Sequence, residues 1–554
     1  MSTEILVGIL GCLAMVFLLT SSMPVGFVMA LVGGVGFAIL QSPRAACFMM
    51  TTELLDTFGK YGLTVIPLFV FMGQIAFHTG ISRRLFHAAY RWLGPLPGGL
   101  AMATVGACTG FGAISGSGPA TAATMASVAL PEMRRYNYDM ELGTGSVAAG
   151  GSLGMLIPPS VVFIVYAIMT EQSVSELFVA GIVPGLLIAV LFCLVILVNC
   201  LRRPHLGPVA EPTTLREKMA SLLGIWETVL LFILVIGGMF GGFFTPTEAA
   251  AIGALGSLAI AACRLQLTSK MLKQALRETV RTSCMVMFIV AGAMVFGRFL
   301  AVTRIPAELA RGLASLPLPG WVVMGGIILF FLFAGCFVDA LALILLTIPI
   351  FFPVVQALHF DPVWFGVVVV VVVQMGVISP PVGVNAYVVS GIARDVPLQT
   401  VFKGTMPFLG ALVVSAALLL LFPELCLFLP RNGIRGTLLL AVVAGGILAT
   451  SLSLWGSSRV LGAKCAFGRS LGLVIFAWGG SGLLAGGLWK AFPNVWLALT
   501  ACVLVSGTVF LFAERRRSWR CVMLWTVYTV LSGALFALAR LVGPTSMHSA
   551  SLSG

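Results

Sequence analysis

Charged residues are scarce in this sequence: only 9% of its 554 residues are Asp, Glu, Lys or Arg, whereas 59% are hydrophobic. A soluble domain carries roughly a quarter charged residues, so this scarcity excludes a soluble enzyme or binding module over most of the chain. Polar stretches between the hydrophobic runs are short, and many runs reach the length of about 20 residues that crosses a bilayer as a helix. The composition therefore predicts an all-α polytopic membrane protein.

Patterns that bind metals, bind phosphates or catalyse hydrolysis are also missing. The 12 cysteines form no C-x-x-C pair, and the five histidines form no ligand pair at helical spacing. A G-x-x-x-x-G-K-[ST] phosphate loop does not occur, which disfavours an ATP-driven pump. An intramembrane serine hydrolase would have to use Ser115 or Ser117. Neither serine is the centre of a G-x-S-x-G sequence, and no membrane-embedded histidine offers a base. We therefore expect no enzyme activity.

The net charge of +13 comes from Lys and Arg in short loops between the apolar runs. This distribution is typical of cytoplasmic loops in membrane proteins and indicates topology rather than a nucleic-acid partner. The first four residues contain no cationic segment of a signal peptide, so we expect the first helix to be retained. The partner implied by composition alone is the lipid bilayer.

Two apolar runs are interrupted by the same motif, G-x-x-x-P-P. It spans 154–159 and again 376–381. Consecutive prolines remove two backbone donors and clash with the preceding turn, so each helix must break. Broken backbone inside a membrane is tolerated only where it is buried in protein or lines a cavity. A matched pair of breaks indicates the binding site of a transporter, although a structural kink is the alternative.

Two further stretches, 99–131 and 321–353, predict re-entrant helical hairpins. The first contains Ser115-Gly116-Ser117-Gly118-Pro119 at its middle, and its flanks are each too short to span the membrane. The second turns between Gly335 and Asp339.

An internal repeat relates these features, because Pro380 follows Pro158 by 222 residues. The same offset superimposes the identical tetrapeptides P-L-P-G at 95–98 and 317–320, and it places Asp339 at the position of Ser117. We predict a first repeat over 1–201, a cytoplasmic linker over 202–222 and a second repeat over 223–430.

Positive-inside counting predicts that the two repeats are inverted. We assume that the hairpins do not cross the membrane. An N-terminus on the outer side of the membrane and five membrane crossings in the first half then place the basic loops together in the cytoplasm. Residues 431–554 contain four more apolar runs, for which the same count predicts a four-helix membrane extension with both ends outside. The extension is either an accessory bundle or a fused small subunit.

The motifs resemble those of the large membrane subunit of TRAP transporters, the tripartite ATP-independent periplasmic family (DctM type). The resemblance covers about 1–430 and is carried by T-P-T-E-A-A at 245–250, S-G-S-G-P-A-T-A at 115–122, G-M-L-I-P-P-S at 154–160, F-V-D-A at 337–340, S-P-P-V-G-V-N at 379–385 and F-P-E at 422–424. It implies an elevator-type transporter of the ion-transporter superfamily in the bacterial inner membrane, coupled to Na⁺. It also implies a periplasmic solute-binding protein, a small four-helix membrane subunit and organic-acid substrates.

Hydroxyl and carbonyl oxygens at the hairpin tips and helix breaks are the hard ligands that Na⁺ requires, and glycines allow the backbone to approach a ligand closely. We predict one Na⁺ site from Ser115, Gly116, Ser117, Gly118, Gly151, Gly154 and Ile157, and a second from Gly335, Asp339, Gly376 and Ser379. The alternative for the small residues is close helix packing. Asp339 is ionisable in an apolar setting, so it could neighbour the cation, carry a proton in place of Na⁺ coupling, or cap the next helix.

Helix N-termini after the prolines direct partial positive charge into the predicted cavity, which suits a carboxylate. The predicted substrate-binding residues are Ser117, Pro119, Thr121, Pro159, Ser160, Pro381, Asn385 and Arg298. For Arg298 the alternative is snorkelling to the interface, and for Asn385 it is satisfying the broken helix. Glu248 is interpreted as structural, because T-P-T-E is a capping box.

The sequence thus predicts secondary active uptake of an organic anion, driven by a cation gradient. The alternative is an anion transporter or exchanger of the same inverted-repeat fold that works without a binding protein.

Overall fold

The computed structural model describes residues 3–21, 23–209, 213–314, 318–431 and 433, and the regular elements within these residues are all helical. In chain order the helices are α1 (Thr3–Thr20), α2 (Val25–Leu40), α3 (Pro43–Gly59), α4 (Val65–His78), α5 (Ile81–Leu93), α6 (Gly99–Ser115), α7 (Gly118–Arg135), α8 (Met140–Ser152), α9 (Val161–Thr170), α10 (Val174–Arg202), α11 (Leu215–Leu223), α12 (Trp226–Phe232), α13 (Gly238–Phe240), α14 (Pro246–Cys263), α15 (Ser269–Thr303), α16 (Ile305–Ala314), α17 (Gly320–Gly335), α18 (Ala340–Ala357), α19 (Pro362–Ile378), α20 (Val384–Ile392) and α21 (Leu398–Leu421). Short 3₁₀ turns cover Tyr61–Thr64, Leu153–Met155 and Pro204–Leu206, and a π-helical stretch joins α12 to α13 at Ile233–Gly237.

The chain divides into two compact units, Met1–Pro430 and Arg431–Gly554. The predicted repeats fall in the first unit. The predicted four-helix extension over 431–554 lies outside the described residues, apart from Arg431 and Gly433.

The predicted helix–turn–helix stretches and helix breaks are present where the sequence indicated them. Helices α6 and α7 turn at Gly116 and Ser117, and α17 and α18 turn between Gly335 and Ala340. The first G-x-x-x-P-P motif separates α8 from α9, and the second separates α19 from α20. The Pro158–Pro159 and Pro380–Pro381 peptide bonds are both cis. The structure therefore confirms four backbone interruptions in apolar segments.

Six helices within the described residues are long and apolar enough to cross a membrane, or seven if the bent pair around residue 224 forms one span. They include α10, α15 and α21, whereas α2 and α6 are apolar but shorter than 18 residues. The chain is therefore a multi-pass membrane protein.

Helix α3 was not predicted. Its 17 residues contain Arg44, Glu53 and Asp56, so they lack the long apolar run by which the other helices were found. Ser42 caps the helix by accepting a hydrogen bond from the Ala45 amide, and Pro43 occupies the first turn. In the second half, the single 35-residue helix α15 takes the place of both α3 and α4 at the 222-residue offset.

The described part of the linker is attached to the first half by hydrogen bonds. Tyr138 Oη donates to Pro208 O at 2.8 Å and accepts from the Leu100 amide at 3.1 Å, so it joins the linker to the start of the first hairpin. Burial raises the pKa of Tyr138 to about 12, so the phenol remains a donor at neutral pH. Further along, Trp92 Nε1 donates to Lys218 O at 3.1 Å, which attaches α11 to α5. The linker is thus docked onto the first half.

The helices of the two halves pack in a reciprocal manner. Helix α2 packs against α15 while α14, its counterpart at the 222-residue offset, packs against α4. Likewise α7 packs against α20, and α18 packs against α9. Such exchange of equivalent contacts is what a two-fold relation between similar halves produces.

Candidate functional site

The two hairpin tips line one cavity of about 880 Å³. Its wall is formed by the first tip, the start of α18, the N-terminal end of α9, and the facing sides of α2, α4 and α15. Pockets for small organic ligands usually measure about 300–1,000 Å³, so this cavity is large enough for an organic substrate.

The first tip presents a chain of oxygen atoms. Ser115 Oγ lies 2.7 Å from Thr121 Oγ1, and Thr121 Oγ1 donates to Ser117 O at 2.8 Å. Gly116 has a φ of +63°, and a Cβ there would lie 2.5 Å from Pro159 O, so only glycine fits at this turn. The Gly116 carbonyl also accepts a hydrogen bond from the Val161 amide at 3.3 Å. The tip is therefore held directly against the first helix break.

Most of the predicted first cation site is brought together by this contact. A Cβ on Gly154 would lie 2.9 Å from Ser117 O, and Gly118 lines the cavity beside Met155. Gly151 instead faces Ala122, where a Cβ would lie 2.6 Å from the Ala122 methyl group, so its small size serves helix packing. Ile157 is buried among apolar residues. The structure thus groups the tip oxygens with Gly154 and separates Gly151 from them.

Asp339 is the residue of the second tip that faces the cavity. Its Oδ2 accepts a hydrogen bond from the Leu341 amide at 3.1 Å, so it also caps α18. Gly335 lies behind the tip, where α17 and α19 cross so closely that a Cβ on Gly376 would lie 2.2 Å from the Gly335 carbonyl carbon. Of the predicted second cation site, only Asp339 reaches the cavity wall.

The second helix break, between α19 and α20, is stabilised by hydrogen bonds within the protein. Ser379 Oγ donates to Met375 O at 2.6 Å, and Thr405 Oγ1 on α21 donates to Ile378 O at 3.0 Å. Asn385 Nδ2 donates to Ala148 O on α8 at 3.1 Å, which links the two broken helices. Among the described residues its Oδ1 atom and both amide atoms of the buried Gln374 have no hydrogen-bond partner. Unpaired buried amide atoms therefore lie next to the second break.

The other predicted substrate residues separate into two groups. Pro119 lines the cavity beside the tip, and Thr121 and Pro159 lie directly behind it. Ser160 caps α9 through the Phe163 amide and donates to Met155 O, while Pro381 is not on the cavity wall.

Arg298 lies away from this cavity. Its Nε contacts Glu53 Oε1 of α3 at 2.5 Å, and its side chain is 64% exposed whereas that of Glu53 is 8% exposed. The guanidinium therefore neutralises a buried carboxylate of α3.

Several wall residues were missed by the sequence analysis: Gln74 on α4, Thr124 on α7, and Thr282 and Cys284 on α15. Gln74 adjoins Gly73, whose Cβ, if present, would lie 3.1 Å from Ser115 Cα, so α4 contacts the first tip closely. Gln74 is the single side-chain amide in the apolar helix Val65–His78, and an isolated polar residue in such a helix could have identified it as a candidate site residue from the sequence. Thr282 and Cys284 could not be identified from the sequence in this way, because small polar residues are common in membrane-spanning helices.

The described residues contain no cluster of three or more His, Cys, Asp and Glu side chains that could hold a metal ion. Interrupted helices around a cavity between apolar helices are typical of a membrane transporter.

The family model for the tripartite ATP-independent periplasmic transporter, DctM component, matches residues 12–425. The chain belongs to this family, the TRAP transporter large permeases.

Similarity to individual TRAP transporter permeases supports this assignment. The chain is 38% identical over 387 residues to the C4-dicarboxylate TRAP transporter large permease protein DctM of Pseudomonas aeruginosa, covering 69% of this chain and 89% of the relative. It is 33% identical over 415 residues to the sialic acid permease SiaM of Vibrio cholerae, covering 75% and 96%. The isethionate permease DctMQ of Oleidesulfovibrio alaskensis is 34% identical over 403 residues, covering 71% of this chain and 63% of the relative.

Among solved structures, the YdaH transporter of Alcanivorax borkumensis has a similar fold. The TM-score is 0.53 at 16% sequence identity, and the match covers 68% of this chain and 88% of that structure. At this identity the likeness concerns the fold alone.

Proposed function

We propose that this protein takes up an organic anion across the bacterial inner membrane, driven by a Na⁺ gradient. The observation that carries the proposal is the single cavity bounded by both hairpin tips on one side and by α2, α4 and α15 on the other. Relatives named for C4-dicarboxylate, sialic acid and isethionate support an organic anion as the class of substrate.

The coupling ion in this proposal binds at the first tip. Ser115 Oγ and the Ser117 carbonyl oxygen each lie within hydrogen-bond distance of Thr121 Oγ1, next to Gly154. Hard oxygen donors of this kind favour Na⁺. A second ion next to Asp339 is the other part of the proposal, and a proton on Asp339 is the alternative.

We further propose an elevator mechanism, in which the hairpins and broken helices move as one body past α2, α4 and α15. Support comes from the contacts of Gly116 with Pro159 and of Gly335 with Gly376, which attach each hairpin to its break. The contact between α4 and the first tip would then slide.

A disulfide across that contact tests the movement. A Cβ on Gly73 would lie 3.1 Å from Ser115 Cα, so Gly73→Cys with Ser115→Cys brings two cysteines close enough for a disulfide. Because Ser115→Cys also alters the proposed Na⁺ site, uptake by the double variant is compared with that of the Ser115→Cys single variant. Oxidation should abolish uptake by the double variant and a reductant should restore it to the level of Ser115→Cys, while each single variant should be insensitive to oxidation. Full uptake by the cross-linked protein would exclude sliding at this contact.

The proposed partners are a periplasmic solute-binding protein and a small four-helix membrane subunit, which residues 431–554 could replace. In the proposed topology the N-terminus and the C-terminus are periplasmic. The fused name DctMQ of one relative is consistent with a joined small subunit in that protein.

Uptake by proteoliposomes tests the proposed function as a whole. Transport should require a Na⁺ gradient and the purified periplasmic solute-binding protein that serves this transporter. Ser115→Ala, which removes one of the proposed ligand hydroxyls, should raise the Na⁺ concentration needed for half-maximal uptake, whereas Ser127→Ala, on α7 with its hydroxyl bonded to Thr124 O, should not. Uptake that is indifferent to the binding protein would favour the binding-protein-independent transporter.

A further inference from the structure

The cavity wall carries one charged side chain among the described residues, and that charge is negative: Asp339. No Lys or Arg of the described chain lines the cavity. An organic anion inside it must therefore be stabilised by helix ends, hydroxyl groups and bound cations rather than by a cationic side chain.

We propose that the cavity selects a monoanionic organic acid with an apolar body, a carboxylate or a sulfonate, over a dianionic acid of the same length. This inference rests on the proposed function, which makes the cavity the substrate site. It deepens that function by naming the number of charges and the polarity of the substrate.

The position for one anionic group lies at the first tip. Helix α7 begins there at Gly118, and its N-cap Ser117 makes no side-chain capping bond, so the first-turn amides are not taken by the protein's own side chain. Ser115, Ser117 and Gln74 add polar atoms on the same part of the wall. A helix N-terminus carries about half a positive charge, which suits a single carboxylate or sulfonate.

The second tip offers no equivalent position. Helix α18 also begins at the cavity, but the carboxylate of Asp339 already accepts the hydrogen bond from its Leu341 amide. The protein thus supplies its own anion at this helix end. A Na⁺ ion or a proton at Asp339 would offset its charge, but the Leu341 amide stays bonded to Asp339, so a second carboxylate of the substrate would lack that donor.

The remaining wall is apolar and aromatic. Phe27 and Phe288 lie with ring centroids 4.3 Å apart where α2 meets α15, and Phe77 and Phe111 contribute further rings. These rings favour burial of a hydrocarbon portion. An unpaired charge placed against them would lose its hydration without compensation.

The native cysteine on the wall provides a direct test. Cys284 lines the cavity, whereas Cys263, at the end of α14, is exposed and lies outside it. Purified full-length protein in Na⁺ would be labelled with a maleimide in the presence of heptanoate, hexanesulfonate or heptanedioate. Cys263 labelling reports non-specific effects, and Cys284→Ser identifies the Cys284 signal. The ligand-induced shift in Tm provides a second readout.

We expect heptanoate and hexanesulfonate to protect Cys284 at concentrations at least about tenfold lower than heptanedioate, because the second charge stays unpaired. Thr282→Arg, which adds a cation to the wall, should reduce that difference in both readouts. Equal or better protection by heptanedioate in the wild type would overturn the inference and leave the proposed function standing. If none of the acids protects Cys284 or shifts Tm in folded protein, the cavity is not the substrate site, and both proposals fail.

Discussion

Asp339 combines two roles that usually belong to different residues. Its carboxylate caps α18 through the Leu341 amide, and the same side chain faces the cavity between the hairpin tips. A capping role needs an oxygen acceptor, whereas a role in cation binding needs the negative charge. The two roles can therefore be separated by substitution.

Asp339→Asn should keep the cap and remove the charge. We expect a Tm close to that of the wild type but a roughly tenfold higher Na⁺ concentration for half-maximal uptake, since a hydrogen bond or contact to a charged group contributes about 1.5–3 kcal/mol. Asp339→Ala should additionally lose about 1 kcal/mol of stability, because the cap is removed. Wild-type Na⁺ dependence in the Asn variant would reduce Asp339 to a capping residue.

Arg298 was predicted to meet the substrate, but the structure gives it a partner in the scaffold. Because Glu53 is buried beside it, Arg298→Ala should leave a carboxylate without its cation. We expect a loss of about 1–2 kcal/mol, less than for a fully buried pair because the arginine is largely exposed. The half-saturating substrate concentration of the folded protein should not change.

The matched control is the double variant Arg298→Ala with Glu53→Gln, which removes both charges and should recover most of the stability in thermal unfolding. A normal Tm together with weakened substrate binding would instead return Arg298 to the substrate site.

At the residue scale, the sequence located the wall residues that stand out chemically. Ser117 and Asp339 were identifiable because a glycine-rich turn and an ionisable residue are unusual in apolar segments. The partner of Arg298 could not be found in the same way, since Glu53 is 245 residues distant and only packing brings it near. Residue type thus predicted candidates, whereas the structure decided which of them face the cavity.

At the scale of elements, the tyrosine between α7 and α8 fixes the linker. Tyr138→Phe should remove the bond to Pro208 O and leave the Leu100 amide without its acceptor. We expect a loss of about 1 kcal/mol, seen as a lower Tm, because a buried hydrogen bond contributes about that much. Tyr61→Phe, at a residue that is 72% exposed, is the control and should have little effect.

The pH dependence of this contact has a defined sign. The pKa of Tyr138 in the folded protein is raised by burial from 10.0 to about 12, so the folded state binds the proton more tightly than the unfolded state does. The contribution is fully present below pH 10.0 and is lost as the pH rises toward about 12. The difference in Tm between wild type and Tyr138→Phe should shrink over that range, and a constant difference would exclude this titration.

Element prediction succeeded where one physical constraint was strong. Proline pairs and glycine-rich turns cannot continue a helix, so both breaks and both hairpin turns were found within a few residues. Helix α3 was missed because its polar residues interrupt the apolar run, although Ser42 followed by Pro43 is a helix-start signal. The docking of the linker through Tyr138 was not predicted, because polar composition alone does not reveal such a contact.

At the scale of the whole molecule, reciprocal packing of the two halves agrees with a repeat of 222 residues, whereas their orientation in the membrane comes from the positions of Lys and Arg. Residues 44 and 266 are separated by this offset, and both are exposed. Inverted repeats place them on opposite sides of the membrane, and parallel repeats place them on the same side.

Arg44→Cys and Gln266→Cys, each in a chain without other cysteines, test the orientation. A membrane-impermeant maleimide added to intact spheroplasts should label residue 44, and residue 266 should react only after permeabilisation. Labelling of both from the same side would contradict the inverted arrangement.

Ser117 and Asp339 occupy matching places at the two hairpin tips, yet one carries a hydroxyl group and the other a carboxylate. In an inverted-repeat carrier with identical halves, the inward-facing and outward-facing forms would have equal free energy, and the empty protein would divide evenly between them. One unmatched charge removes that degeneracy, at a tenfold change in population for about every 1.4 kcal/mol. The ion and substrate gradients still set the direction of net flux. Under the proposed elevator mechanism, the unmatched carboxylate contributes to the difference in free energy between the inward-facing and outward-facing forms of the unloaded carrier.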